Sequence, residues 1–144
     1  MITYSSKSIF DSEAQTLVNP VNCVGVMGAG LAKEFKVRYP AMFESYSKAC
    51  KVGLLTPGML QLHKTNSKWI LNFPTKTDWR VGSTLGWIEA GLGKFASSYK
   101  EVGITSVAFP EIGCGLGGLD WDDVRALMCK YLDNLDIPVE ICRV

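Results

Sequence analysis

Hydrophobic positions follow two different periods along the chain. Short apolar runs of strand length occur at 1–6, 14–22, 58–64, 68–74, 104–110 and 137–144. Between these runs, apolar residues recur every three or four positions, as on one face of a helix, at 29–39, 41–53, 84–103 and 120–135. This alternation predicts an α/β fold, a three-layer α/β/α sandwich with a mixed, mostly parallel central sheet.

The ends of several predicted elements carry their own signals. Pro40 separates the first two helices, and the turn residues at 65–67 predict a hairpin between the third and fourth strands. Ser83 is expected to cap the third helix, and Gly103 is expected to end it. Asp120 opens an acidic first turn that suits the dipole of the fourth helix.

Length and charge narrow the class of protein. A chain of 144 residues is long enough for one domain with one core, which we expect to span 1–144. Fifteen basic against fourteen acidic residues leave a net charge of +1, so binding of nucleic acid through bulk positive charge is not implied. The first residues lack the pattern of a signal peptide, and no apolar run approaches the ~20 residues of a membrane span. We therefore expect a cytoplasmic protein.

The cysteines predict neither disulfides nor a metal site. Their number is odd, no C-x-x-C pair occurs, and a single histidine, His63, cannot complete a zinc set with them. We expect reduced thiols, no metal and no cofactor. The five are Cys23, Cys50, Cys114, Cys129 and Cys142.

Two glycine-rich segments have the same context, since each follows a predicted strand and precedes a predicted helix. The first contains Gly25, Gly28 and Gly30, and the second runs through Gly113 to Gly118. Bare backbone amides at the start of a helix bind anions, and loops at the carboxyl ends of parallel strands converge on one crevice. Two such loops suit a diphosphate. The alternative is a pair of tight turns that need glycine only for its backbone freedom.

Polar side chains lie beside these loops. Asn19 and Asn22 flank a proline at a strand end, and each is either a ligand or a turn brace; Asn22 is the better ligand candidate.

The loop after the fourth strand contains Lys76, Trp79 and Arg80. A lysine beside an anion pocket serves as a counter-charge, a nucleophile or a proton shuttle, whereas most lysines are solvated surface charges. Trp79 and Arg80 suit a stacked base or a phosphate, although an aromatic residue is more often part of the core.

Three motifs together resemble the macrodomain, an ADP-ribose-binding α/β/α module. They are LVNPVNCVGVMGAGLAKEFKVRYP, NFPTK and FPEIGCGLGGLDW, and the order of elements fits nearly the whole chain. Within that family they look most like the branch of the antitoxin partners of the DNA-ADP-ribosylating toxin DarT. They resemble less closely the human terminal ADP-ribose glycohydrolase.

The resemblance implies roles for individual residues. Lys76 falls on the catalytic lysine of that branch, and Asn22 is expected at the distal ribose. The loop at 25–31 is expected around that ribose and a phosphate, and the loop at 113–119 around the diphosphate. The residues expected to bind the ligand are Asn19, Asn22, Gly25, Val26, Met27, Gly28, Ala29, Gly30, Leu31, Thr75, Gly113, Cys114, Gly115, Leu116, Gly117, Gly118 and Leu119.

The implied activity is hydrolysis of ADP-ribosyl conjugates, above all removal of ADP-ribose from thymidine in single-stranded DNA. The expected partners are therefore ADP-ribose or an ADP-ribosylated substrate, with single-stranded DNA as a candidate, no membrane, and a toxin partner left open. Four alternatives stay open. They are a phosphatase of ADP-ribose 1''-phosphate, release of ADP-ribose from acidic side chains of proteins, a module that binds ADP-ribose without chemistry, and a structural domain with vestigial loops.

Two positions depart from the family pattern. The human relative carries an aspartate after GCGL, where this chain has Gly117, so a lysine-centred mechanism is favoured over one that needs that carboxylate. Macrodomains usually carry an early aspartate that hydrogen-bonds adenine, and Ser8 occupies that position here. Selection of adenine is therefore expected to be weaker or to arise differently.

Overall fold

A computed structural model describes residues 1–143 of the chain. These residues form six strands: β1 (Ile2–Ser5), β2 (Thr16–Val21), β3 (Gln61–Lys64), β4 (Trp69–Pro74), β5 (Val107–Pro110) and β6 (Val139–Cys142). They also form four α-helices: α1 (Gly30–Arg38), α2 (Pro40–Lys51), α3 (Leu85–Val102) and α4 (Trp121–Leu132). A single 3-10 turn at Ile9–Asp11 precedes β2. No helix within 1–143 is both long enough and apolar enough to cross a bilayer.

The sheet has the strand order β1-β6-β5-β2-β4-β3. Every neighbouring pair is parallel except β3 and β4, which form the predicted antiparallel hairpin. The expected mixed, mostly parallel sheet is thereby confirmed. The predicted last strand is realised as β6, although residue 144 lies outside the described part of the chain.

Side chains of each strand alternate between two separate cores. From β2, Leu17 joins the core under α1 and α2, whereas its neighbour Val18 joins the core under α3 and α4. The same alternation places Ile70 of β4 in the first core and Leu71 in the second. Because successive side chains of a strand point to opposite faces, the two cores lie on opposite sides of the sheet. This is the expected three-layer arrangement.

The observed helix ends match the predictions from the sequence at three positions and differ from them at one. Gly103 ends α3 in the left-handed region with φ +88°, and Asp120 caps α4 by accepting a hydrogen bond from the Asp122 amide at 2.8 Å. Pro40 opens α2 at its first turn, as predicted from its position between two helices. The predicted cap Ser83 is wrong by one residue. Thr84 accepts the hydrogen bond from the Trp87 amide instead, whereas Oγ of Ser83 is buried and has no hydrogen-bond partner among residues 1–143.

The connections that leave β2 and β5 run in opposite directions along the sheet. From β2 the chain passes through α1 and α2 on one face to β3 and β4 on one side, and from β5 it passes through α4 on the other face to β6 on the opposite side. The loops that follow β2 and β5 therefore diverge to opposite faces. Such a switch point opens a crevice at the carboxyl ends of parallel strands, where ligands of open α/β sheets bind.

Gly91 lets α3 lie directly on the sheet. A Cβ atom at this buried position would lie 2.3 Å from Cζ of Phe73, whose ring is fully enclosed in the core. Close approach of helix and sheet at this point therefore requires glycine.

We expect Gly91→Ala to destabilise the protein by about 1–3 kcal/mol because the added methyl group overpacks the core. The matched control is Gly93→Ala in the same helix, where the Cβ atom would meet Tyr131 at an ordinary 3.6 Å. That variant is expected to gain about 0.5–1 kcal/mol from helix propensity. Urea unfolding of both variants measures the difference, and equal stabilities would contradict the packing argument.

Candidate functional site

A cavity of about 990 Å³ opens at the carboxyl ends of the parallel strands. Residues that follow β2, β4 and β5 line it, and Cys142 at the end of β6 lies in its wall. Both glycine-rich loops border this one cavity, as predicted from their shared context. The volume lies at the upper end of the range for pockets that hold cofactors and other small molecules.

The first glycine loop ends at the N-terminus of α1, which lies at the cavity and has no side-chain cap. Ala29 is the N-cap of α1 but offers no side-chain hydrogen bond, whereas Thr84 and Asp120 cap α3 and α4. The first N–H groups of a helix have no partner within the helix, and the helix dipole gives them partial positive charge. Gly28, Ala29, Gly30, Leu31 and Ala32 all line the cavity. This helix end is therefore oriented to receive an anion.

A buried hydrogen-bond cluster fixes the shape of that loop. Oδ1 of Asn22 accepts hydrogen bonds from the hydroxyl of Tyr46 at 2.7 Å and from the backbone N–H of Val24 at 3.1 Å. Nδ2 of Asn22 donates to the carbonyl of Val26 at 2.8 Å. Tyr46 is fully buried, and burial raises the pKa of its hydroxyl far above the usual range, so it stays a donor at every ordinary pH. Asn22 thus braces the loop while it also borders the cavity, at 8% exposure.

Asn19 takes part in a second buried network behind the loop. It is fully buried, and its Nδ2 donates to Oδ1 of Asn72 at 3.0 Å and lies 3.8 Å from the sulfur of Met27. Nδ2 of Asn72 in turn donates to Oε1 of Gln61 at 3.0 Å. Three amide side chains therefore connect β2, β4 and β3 across the sheet. Asn19 does not line the cavity, which fits a loop brace and not a ligand contact.

The second glycine loop presents a row of free backbone amides. Among residues 1–143, the N–H groups of Gly115, Leu116 and Gly117 meet no hydrogen-bond acceptor, although the neighbouring amides of Cys114, Gly118 and Leu119 do. Gly115, Leu116 and Gly117 all line the cavity. Successive unpaired amides make a concave anion site of the kind seen around phosphates. The two glycine loops therefore form two anion-binding walls of one cavity.

Gly117 sits where no side chain fits. A Cβ atom there would lie 2.4 Å from the carbonyl oxygen of Gly113 and 2.5 Å from Oγ of Ser83. The carbonyl of Gly117 also accepts the hydrogen bond from the backbone N–H of Ser83 at 3.0 Å. The loop after β4 is thereby attached to the second glycine loop. A carboxylate at position 117 has no room in this protein.

Lys76 lies between the two walls. It is half-buried, lines the cavity, and its Nζ donates to the carbonyl of Leu116 at 3.3 Å. The loop that carries it is attached to the stem of the first glycine loop, because the amide of Cys23 donates to the carbonyl of Thr77 at 3.1 Å. The Cys23 thiol also donates to the carbonyl of Lys76 at 3.3 Å. The amine thus contacts the second glycine loop, and the backbone that carries it is attached to the stem of the first.

The thiols near the cavity stay protonated at neutral pH. Burial, assisted by the nearby carboxylates of Glu111 and Asp120, raises the pKa of Cys114 to about 11. Burial and the neighbouring Glu140 raise the pKa of Cys142 to about 12. A thiol is a nucleophile only as its thiolate, so neither cysteine is suited to attack a substrate. Within residues 1–143, Lys76 is the one lysine that lines the cavity.

The structure brings most of the predicted ligand-binding residues together around this cavity. Those that line it are Asn22, Val26, Gly28, Ala29, Gly30, Leu31, Thr75, Lys76, Gly113, Cys114, Gly115, Leu116 and Gly117. Those that do not line it are Asn19, Gly25, Met27, Gly118 and Leu119. Gly25 and Gly118 adopt φ values of +83° and +77°, so they shape the loops through their backbones. Met27 is buried beneath the first loop.

Sequence reasoning missed part of the lining. Cys142, Pro110, Glu111 and Glu34 border the cavity. In the sequence, Pro110 and Glu111 could have been found from their place at a strand end beside the second loop. Cys142 could have been found from its place at the end of the last strand.

Ser8 also lines the cavity, as its alignment with the adenine-contacting position implies, and its Oγ accepts a hydrogen bond from the amide of Phe10. In the described part of the chain, no group of three or more metal-ligating side chains lies together.

Comparisons with known proteins agree with this geometry. The Macro domain family model matches residues 18–128. The chain is 50% identical over 139 residues to the DNA ADP-ribosyl glycohydrolase of Mycobacterium tuberculosis, covering 94% of this chain and 40% of the relative. The chain therefore spans less than half the length of that relative.

Two solved structures are similar over almost the whole chain. The macrodomain of Mycobacterium tuberculosis DarG superimposes with a TM-score of 0.95 at 46% identity, covering 99% of this chain and 97% of that one. Thermosipho africanus DarTG in complex with ADP-ribose also gives a TM-score of 0.95, at 41% identity, covering 99% of this chain and 41% of that one.

The packing around Gly117 generates a prediction about stability. We expect Gly117→Ala to lower the free energy of unfolding by about 1–3 kcal/mol, because the methyl group would overlap the carbonyl of Gly113. Gly115→Ala is the matched control, since nothing lies within 4 Å of its Cβ position. The free energy of unfolding of the control should lie within about 0.5 kcal/mol of that of the parent, as is usual for surface substitutions. Thermal and urea unfolding measure both, and a stable Gly117→Ala would show that the loop relaxes.

Proposed function

The chain belongs to the macrodomain family, and from this premise we propose that it binds ADP-ribose and removes it from thymidine in single-stranded DNA. The observation that carries the proposal is the position of Lys76 between two walls of free backbone amides in one cavity. Two anion walls match the two phosphates of a diphosphate. The similarity to a DNA ADP-ribosyl glycohydrolase and to a complex with ADP-ribose supports this assignment.

Binding in this proposal relies on backbone groups. The open end of α1 takes one phosphate and the amides of Gly115 to Gly117 take the other, because hydrogen bonds from N–H groups to an anion are stronger than those to a neutral acceptor. Adenine would lie at the end of the cavity that Ser8 and Cys142 line. The distal ribose would then lie toward Lys76, and Asn22 would border it.

Lys76 has two possible chemical roles at the anomeric carbon of the distal ribose. As an uncharged amine it attacks that carbon, so that a C–N bond forms while the bond to thymine breaks and thymine leaves with the electron pair and gains a proton; water then displaces the amine. As a charged ammonium it instead stabilises the departing base while water attacks. Both roles end in free ADP-ribose and unmodified DNA.

The free state of the cysteine thiols supports a proposal for the cellular compartment of the reaction. All five cysteines are free in the described residues. Free thiols persist in the reducing cytoplasm, and we propose that compartment for the reaction.

We expect Lys76→Ala to lower the rate of ADP-ribose release from an ADP-ribosylated single-stranded oligonucleotide by roughly 100-fold or more, the scale of losing one group that acts on the transition state. Lys76→Arg separates the two roles, because it keeps the charge but removes the nucleophilic amine. An inactive arginine variant indicates attack by the amine, and an active one indicates charge stabilisation.

The control is Lys94→Ala, which removes an exposed lysine from α3 far from the cavity wall. Its rate should equal that of the parent. Calorimetry with ADP-ribose, run on every variant, checks that binding survives. Binding of ADP-ribose with no release from DNA would overturn the proposal in favour of a binding module. Release from ADP-ribosyl carboxylates or phosphate loss from ADP-ribose 1''-phosphate, without release from DNA, would point to those substrates instead.

A further inference from the structure

Three loops each place one exposed apolar side chain at the mouth of the cavity. Val26 comes from the first glycine loop, Trp79 from the loop after β4, and Leu116 from the second glycine loop. They are exposed by 39%, 54% and 74% respectively. Exposed apolar side chains that gather at one opening mark a surface that is covered when a ligand binds. We call these three residues the rim.

The tip of the Trp79 loop is held in place by Asp78. Oδ1 of Asp78 accepts a hydrogen bond from the backbone N–H of Arg80 at 2.9 Å, and its carbonyl accepts one from the amide of Val81 at 3.2 Å. This closes a turn with Trp79 at its second position. An Asx-type turn of this kind fixes the backbone without help from a ligand.

Arg80 lies over the indole ring. Its guanidinium is 5.2 Å from the centroid of the Trp79 ring and makes two hydrogen bonds to the carboxylate of Asp78, at 2.9 and 2.7 Å. These hydrogen bonds lower the pKa of Asp78 to about 2, so the carboxylate stays charged at every ordinary pH. Trp79 therefore has a charged neighbour over its ring and still exposes half of its area.

The loop brings this aromatic surface next to the reactive amine. Lys76 and Trp79 lie three residues apart on one loop and line the same cavity. Nζ of Lys76 reaches the carbonyl of Leu116, a second rim residue. A group attached to a sugar beside Lys76 would therefore lie close to these two rim residues.

We propose that Trp79 stacks on the thymine that carries ADP-ribose in single-stranded DNA, and so selects nucleobase conjugates over other ADP-ribosyl conjugates. The inference rests on the proposed function, since it places the distal ribose beside Lys76. A base offers a flat π face to the indole and needs no free charge. The three rim residues offer no cation to an acidic peptide, and the guanidinium of Arg80 beside them is already paired with Asp78. The rim therefore suits a base better than a carboxylate.

The test measures binding in a Lys76→Ala background, so that substrate is not consumed and the result does not depend on catalysis. The two ligands are free ADP-ribose and a single-stranded oligonucleotide with ADP-ribose on one thymidine. We expect the oligonucleotide to bind roughly tenfold tighter than ADP-ribose, the scale of one base stacked on an aromatic side chain. Trp79→Ala should remove that advantage and leave the affinity for ADP-ribose unchanged.

Two further variants control for the fold of the loop. Trp79→Phe keeps an aromatic face and should keep most of the advantage, whereas Val81→Ala, in the same loop but outside the cavity lining, should keep all of it. An equal loss of affinity for both ligands in Trp79→Ala would show that Trp79 contacts ADP-ribose itself and would overturn the inference. So would an oligonucleotide that binds no tighter than ADP-ribose, or an ADP-ribosylated acidic peptide that shows the same dependence on Trp79. Failure of DNA hydrolysis in the parent protein would count against the proposed function alone.

Discussion

Unpaired backbone N–H groups are the feature on which the site depends. A backbone N–H group without an acceptor in the protein binds water or a ligand instead. Here α1 begins without a side-chain cap, and three consecutive amides of the second glycine loop find no acceptor among residues 1–143. Residues of both sets line one cavity. Hydrogen-bond donors are thus left free there, in an arrangement that suits an anion.

The rest of the fold keeps these amides in position. The connections after β2 and after β5 run in opposite directions along the sheet, which sends these two loops to opposite faces and opens the space between them. The hydroxyl of Tyr46 braces the first loop through Asn22, and the amide of Ser83 attaches the second loop to the loop of Lys76. Since glycine loops are flexible in isolation, this bracing is what makes the cavity a defined site.

The sequence was sufficient for the elements and for the convergence of the two loops, because both follow from local periodicity and from the geometry of parallel strands. It was insufficient where a tertiary contact overrides a local preference. Ser83 has the chemistry of a cap, but its Oγ packs against Gly117 of the second glycine loop and Thr84 makes the capping hydrogen bond. Asn22 and Asn19 look alike in the sequence, and only the fold shows that Asn22 borders the cavity whereas Asn19 connects strands. The wall contributed by Cys142 arises from strands distant in the sequence.

The close packing of Gly117 also limits how this chain could evolve. A single nucleotide change converts a glycine codon to an aspartate codon, so an acidic residue at this position is one mutational step away. In this protein that step would place a side chain against the carbonyl of Gly113 and the hydroxyl of Ser83. The neighbouring loop would have to change first, before a carboxylate could become useful. A carboxylate at this position is therefore separated from the present sequence by an unfavourable intermediate, which favours retention of the glycine.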